Sequence, residues 1–167
     1  MKLKVLILAA IFLFILSLYP VVKFFLPPGR EYITSREVDD FTKQIEKENV
    51  FISSCKIYNF QGSLYFDYKL KKSSSYEIKK YMDNIFNISD DFAMSDKTLK
   101  KLVFPSNSNP KGLRILIEIK LGDDRYSYEG NIIRYDRAKD VEYNDNFKTW
   151  DLYKNNELIN EFIKETY

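Results

Sequence analysis

The feature that most limits what this chain can become is an apolar run at its start. Lys2 and Lys4 lead into Val5–Tyr19, which holds no charge, and a second apolar patch reaches Leu26. From Val5 to Leu26 the run has 22 residues, roughly 33 Å as a helix at about 1.5 Å per residue, which matches one bilayer core. Val5, Leu8, Phe12 and Ile15 carry its apolar character, Tyr19 suits a membrane interface, and Lys23 can snorkel. The pattern predicts an N-terminal transmembrane helix whose partner is the lipid bilayer. It reads as an uncleaved, single-pass signal anchor that ends, with a Pro27-Pro28-Gly29 spacer, at residue 30. Two rival readings stand beside it. A cleaved signal would use Ser17-Leu18-Tyr19, which is bulky at its end and followed by Pro20. A buried core helix is the other. The basic N-terminus orients an anchor with that end in the cytoplasm, so 31–167 is expected as one extracytoplasmic domain on the cell membrane.

Charge follows the same division. Of 26 Lys and Arg, three (Lys2 and Lys4 just before the run and Lys23 within it) belong to the anchor, which leaves 23 against 24 Asp and Glu. A sign-mixed, near-neutral surface carries no electrostatic footprint for nucleic acid. The single cysteine, Cys55, excludes an internal disulfide, so the domain must be held by its core. Disulfide-free export and heavy use of Lys, Ile, Asn, Tyr and Phe point to a bacterial cell envelope. The chain has no histidine, which removes Ser-His-Asp and Cys-His nucleophiles, His-ligated zinc and imidazole acid–base steps. No cofactor, metal site or catalytic motif is expected.

Periodicity then orders the elements. Thr34-Ser35-Arg36-Glu37 reads as a capping box before a helix with Val38, Phe41 and Ile45 on one face, ending near Asn49. Residues 50–60 and 63–71 read as a hairpin around Gln61-Gly62, pairing Ile57 with Phe66, Cys55 with Tyr68, Lys56 with Asp67 and Tyr58 with Tyr65. A second capping box at Ser74–Glu77 precedes Ile78, Tyr81, Met82, Ile85 and Phe86 at helical spacing. Ser95 is placed as the cap of a short third helix stopped by Pro105. Leu113 to Leu121 alternates cleanly, and a turn at Gly122-Asp123 returns the chain. That register sets Lys120 against Arg125, a like-charge conflict that argues for a longer loop. Val141–Tyr143 and Phe147–Tyr153 look like strands. Lys154-Asn155-Asn156-Glu157 reads as a tight hairpin turn, with a helix capped by Asn156 as the alternative. The expected fold is α+β: the transmembrane helix, then an antiparallel sheet of four to seven strands packed on two or three helices.

Candidate sites are few. Cys55 points inward and reads as a small apolar residue. Asp90-Asp91, Asp123-Asp124 and the cluster Asp136, Asp140, Glu142 and Asp145 lack the spacing and glycine of a calcium loop. The aromatic content, 13 Tyr and 13 Phe, is the real excess. Tyr58 and Tyr65 fall opposite one another on the outer face of the first hairpin, where a covering layer or a partner could use them. The function expected is non-catalytic binding of an envelope protein or wall glycan. An assembly factor acting through the transmembrane helix and a carboxylate-dependent hydrolase are the alternatives.

Overall fold

The computed structural model describes residues 29–71, 75–103, 113–136 and 138–164. The expected transmembrane helix, with Val5, Leu8, Phe12, Ile15, Tyr19 and Lys23, lies outside the described residues. Among the described residues no helix is long and apolar enough to cross a membrane. The expectation of a membrane-spanning α+β chain is therefore corrected to a structure built mostly of sheet, with a few helices.

A short strand β1 (Glu31–Tyr32) leads to helix α1 (Arg36–Glu48). Ser35 caps α1 from an extended backbone, its Oγ accepting from the Val38 N–H at 3.2 Å. The cap is one residue later than the Thr34-x-x-Glu37 pattern implies. The hairpin β2 (Ile52–Phe60) and β3 (Ser63–Leu70) turns at Gln61-Gly62, both with positive φ (51° and 78°). Such a turn follows the right-handed twist of the strands and leaves Phe60 opposite Ser63. The remaining pairs fall as the alternation predicts, including Ile57 with Phe66 and Tyr58 with Tyr65.

Helix α2 (Ser75–Ser95) and helix α3 (Lys97–Val103) follow. Asp96, not Ser95, caps α3: its Oδ1 accepts from the N–H groups of Thr98 and Leu99 at 2.9 and 2.8 Å, whereas the Ser95 hydroxyl donates back to the Phe92 carbonyl. Strands β4 (Arg114–Leu121) and β5 (Asp124–Asn131) form a second hairpin around Gly122-Asp123, and Lys120 does oppose Arg125. No longer loop is needed, because each cation has its own anion. Lys120 Nζ reaches Asp67 at 2.9 Å and the Arg125 guanidinium reaches Glu118. A small two-stranded ribbon, β6 (Ile133–Asp136) and β7 (Val141–Asn144), precedes the last hairpin, β8 (Thr149–Lys154) and β9 (Glu157–Ile163). Asn155 and Asn156 both take positive φ (50° and 71°), so the C-terminal segment is a strand and the helical alternative fails.

The seven-stranded sheet runs β1-β2-β3-β4-β5-β8-β9. Its central pair, β3 and β4, is parallel while the other pairs are antiparallel, so the expected antiparallel sheet is corrected to a mixed one. The reason is the crossover. A two-residue turn reverses a strand, but α2 and α3 carry the chain back along the sheet before β4 begins. The three helices among the described residues share one core with one face of the sheet. There Ile57, Phe66, Ile117 and Tyr128 line up across the strands with Cys55, Tyr68 and Ile119, and Val38, Ile45, Met82, Ile85, Phe86 and Leu99 close over them. The middle strands are most apolar on that face, while the opposite face mixes charged and polar side chains with the rings of Tyr58 and Tyr65 and with Leu116.

Candidate functional site

The face away from the helices carries the residues that packing does not absorb. Paired strand residues point to one side, so the ladders define rows across it. One row reads Tyr32, Tyr58, Tyr65, Leu116, Glu129, Asp151 and Glu161. The next reads Lys56, Asp67, Glu118, Ser127 and Tyr153.

The two tyrosines picked out from the sequence do lie side by side here. Their rings stack 5.0 Å apart and within 7° of parallel. They are not equivalent. Tyr58 is 2% exposed, with Tyr32 edge-on at 5.7 Å and the Arg30 guanidinium 4.8 Å from its centroid. Burial, with Glu118 adding to it and Arg30 opposing, pushes its phenol up to about 12. Tyr65 is half-buried, and burial raises its phenol too, against a lowering from Arg114. With one ring face against Tyr58 on β2, the other looks over β4.

Beside that ring the sheet holds an open depression of about 380 Å³, lined by Tyr65, Arg114, Leu116, Glu118, Arg125, Ser127, Glu129, Tyr153 and Asn156. Its floor is Leu116, Glu118 and Ser127, all buried. Glu118 accepts from Arg125 and lies 3.9 Å from Lys120 Nζ. Glu129 faces Arg114 at 4.0 Å, and its carboxyl is raised by burial, with Arg114 the largest opposing influence. The Ser127 Oγ has no hydrogen-bond partner of normal geometry among the described residues, although it lies near enough to Glu129 to favour the ionised carboxylate slightly. A buried hydroxyl in that state costs on the order of 1–3 kcal/mol. The two rims are aromatic, Tyr65 from β3 and Tyr153 from β8, and Asn156 enters from the β8–β9 turn.

Of this lining the sequence reading picks out Tyr65 as a partner-binding residue and Tyr153 only as a late-strand aromatic of undetermined facing; the other members are missed. A signal was present: Arg114, Leu116 and Glu118 are alternate residues of β4, and Arg125, Ser127 and Glu129 are alternate residues of β5. What could not be seen was that β8 would bring Tyr153 beside them. A second open depression, about 590 Å³, lies between the β6–β7 ribbon and β9 and is lined by Arg134, Tyr135, Val141, Tyr143 and Glu161 among others. Arg134 there is a strut, binding Asp151 through both carboxylate oxygens (2.8 and 3.0 Å) and Glu161 at 3.0 Å.

The other sequence candidates are taken up by the fold. Cys55 is buried, and burial pushes its thiol up to about 12. Asp145 caps the β8 entry, accepting from Thr149 N–H and Oγ1 at 2.8 Å each. Asp140 accepts from the Tyr135 hydroxyl, and Asp124 pairs with Lys154 at 3.2 Å. Asp90 is buried and held by Lys164. Among the described residues no group of three or more ligating side chains is placed to hold a metal ion. No family model matches the chain, and neither does any curated protein or solved structure.

Proposed function

We propose that this chain is a non-catalytic binding domain that takes a protein or glycan partner on the sheet face opposite its helices. The observation that carries the reading is the polar depression between Tyr65 and Tyr153 on a face that the helices leave open. Two half-buried aromatic rims around a few convergent polar groups are what recognition sites use, because rings offer large contact area with little entropy to lose. The absence of catalysis is supported by the chain's lack of histidine and by the contact that ties the floor carboxylate, Glu118, to Arg125. Placement outside the cytoplasm belongs to the same proposal and rests on the basic start and apolar run of residues 2–26.

Photocrosslinking in the source cell tests it. A benzophenone amino acid replaces Tyr153 in one variant and Lys80, exposed on α2, in another. The expected result is a discrete adduct from position 153 and none from position 80. Adducts from both positions alike, or from neither, would overturn the assignment of this face.

A further inference from the structure

The chemistry of the depression says more about its occupant than that one exists. Four charged side chains line it, Arg114 and Arg125 against Glu118 and Glu129. They form two cation–anion pairs, so the lining is neutral as a whole. A charged ligand would gain from one member of each pair what it loses to the other, so charge gives it no advantage here. A neutral ligand loses nothing by comparison. Paired carboxylates and guanidinium groups retain lone pairs and N–H groups that accept from and donate to hydroxyls in fixed planes.

The floor asks for a hydroxyl as well. Ser127 is 9% exposed, and its Oγ, close to Glu129, has no hydrogen-bond partner of normal geometry among the described residues. A group that both donates and accepts satisfies it, and a ligand hydroxyl does this as a water molecule does. The rims supply the remaining requirement. The rings of Tyr65, which stacks on Tyr58 and has Phe60 edge-on at 6.2 Å, and of Tyr153 can each take the apolar C–H face of a flat, hydroxylated ring. The volume, about 380 Å³, sits at the lower end of the ~300–1,000 Å³ typical of ligand sites, and the depression is open rather than enclosed, which suits a segment of a chain.

Resting on the binding reading above, we propose that the occupant of this depression is a neutral saccharide chain, its rings stacked on Tyr65 and Tyr153 and its hydroxyls bound by Arg114, Glu129, Asn156 and Ser127.

The test is calorimetric titration of the full chain, kept in solution by a detergent without a sugar head group. The probes are two neutral tetrasaccharides, cellotetraose and chitotetraose, and one acidic one, tetragalacturonate. Saturable binding of at least one neutral probe is expected, with the acidic probe at least tenfold weaker. Tyr65→Ala weakens binding about tenfold, since a ring stack contributes up to ~1.5 kcal/mol. Ser127→Ala weakens it severalfold while leaving the melting temperature the same or higher. Failure of both neutral probes to bind, with the position-153 adduct still formed in cells, would overturn the saccharide and leave a protein partner for this face. Loss of both would remove the binding reading itself. Neutral-sugar binding that survives Tyr65→Ala combined with Tyr153→Ala would overturn the site.

Discussion

Gly130 offers the sharpest check on how the sheet is assembled. It lies in β5 opposite Trp150 of β8, and a methyl group added there would meet three carbons of the indole at 2.9, 2.9 and 3.0 Å. Ordinary carbon contacts lie near ~3.5–4.0 Å, so the ring must give way by about half an ångström or more. It has nowhere to go. Trp150 is 0% exposed, its Nε1–H donates to the Phe147 carbonyl at 2.9 Å, and Phe86 stands edge-on to it at 4.8 Å. Overpacking of this kind costs roughly 1–3 kcal/mol. Replacing glycine restricts the unfolded chain and returns about 0.5–1 kcal/mol. Taking the middle of each range, Gly130→Ala should therefore destabilise by about 1 kcal/mol and lower the melting temperature by roughly 3–5 °C. Trp150 is the only tryptophan in the chain, so its emission reports this site alone and should shift in the folded variant. In a Trp150→Phe background the same glycine substitution should cost about 1 kcal/mol less, read as a double-mutant cycle. An unchanged or raised melting temperature for Gly130→Ala would mean that the indole is not seated on β5, and the β5–β8 pairing would have to be given up.

Three further outcomes follow from the same geometry. Lys164→Met strips the buried Asp90 carboxylate, 1% exposed, of its cation and should cost on the order of 3 kcal/mol, while adding Asp90→Asn should recover most of it in denaturant melts. Burial, the largest influence, raises the Asp90 carboxyl above its unfolded value, with Lys164 opposing. The folded chain thus holds that proton more tightly. The associated stability is complete below the unfolded value and is lost as pH rises through the folded one. Asp90→Asn alone should consequently gain on the parent as pH rises above the ordinary carboxylate range, about pH 4, and a difference that stays constant across thermal melts at rising pH would refute the assignment. Tyr58→Ala should cost about 3 kcal/mol and Tyr65→Ala about 1 kcal/mol, so equal losses in chemical denaturation would show that the two rings are packed alike. Cys55, with its thiol pushed up to about 12, should resist an aromatic disulfide reagent in the folded protein at mild alkaline pH and react fully once unfolded. Rapid labelling of the native chain would place it elsewhere.

The mistakes made from sequence have a common form. Thr34 and Ser35, and Ser95 and Asp96, are neighbours that both carry a capping oxygen, and a local pattern cannot say which one meets the helix N–H groups. Lys120 opposite Arg125 looked like a conflict because their partners, Asp67 and Glu118, lie on other positions of the sheet. Tyr58 and Tyr65 were paired correctly, yet the difference in their burial comes from Arg30 and Tyr32, which reach Tyr58 through β1.

The sequence by itself determined the first hairpin with its register from residue 54 to residue 69, and located the turns of the other two. Side chains alternate with a period of two, and Gln61-Gly62, Gly122-Asp123 and Asn155-Asn156 permit the left-handed backbone of a two-residue turn. Both are consequences of local stereochemistry that a short window contains. Tertiary structure alone decided that β3 and β4 run parallel, that β8 lies beside β5, and hence that Tyr65, Ser127 and Tyr153 surround one depression. Those choices turn on where α2 and α3 dock to bury their apolar faces. That free energy belongs to contacts between distant parts of the chain, and no stretch of sequence holds it alone.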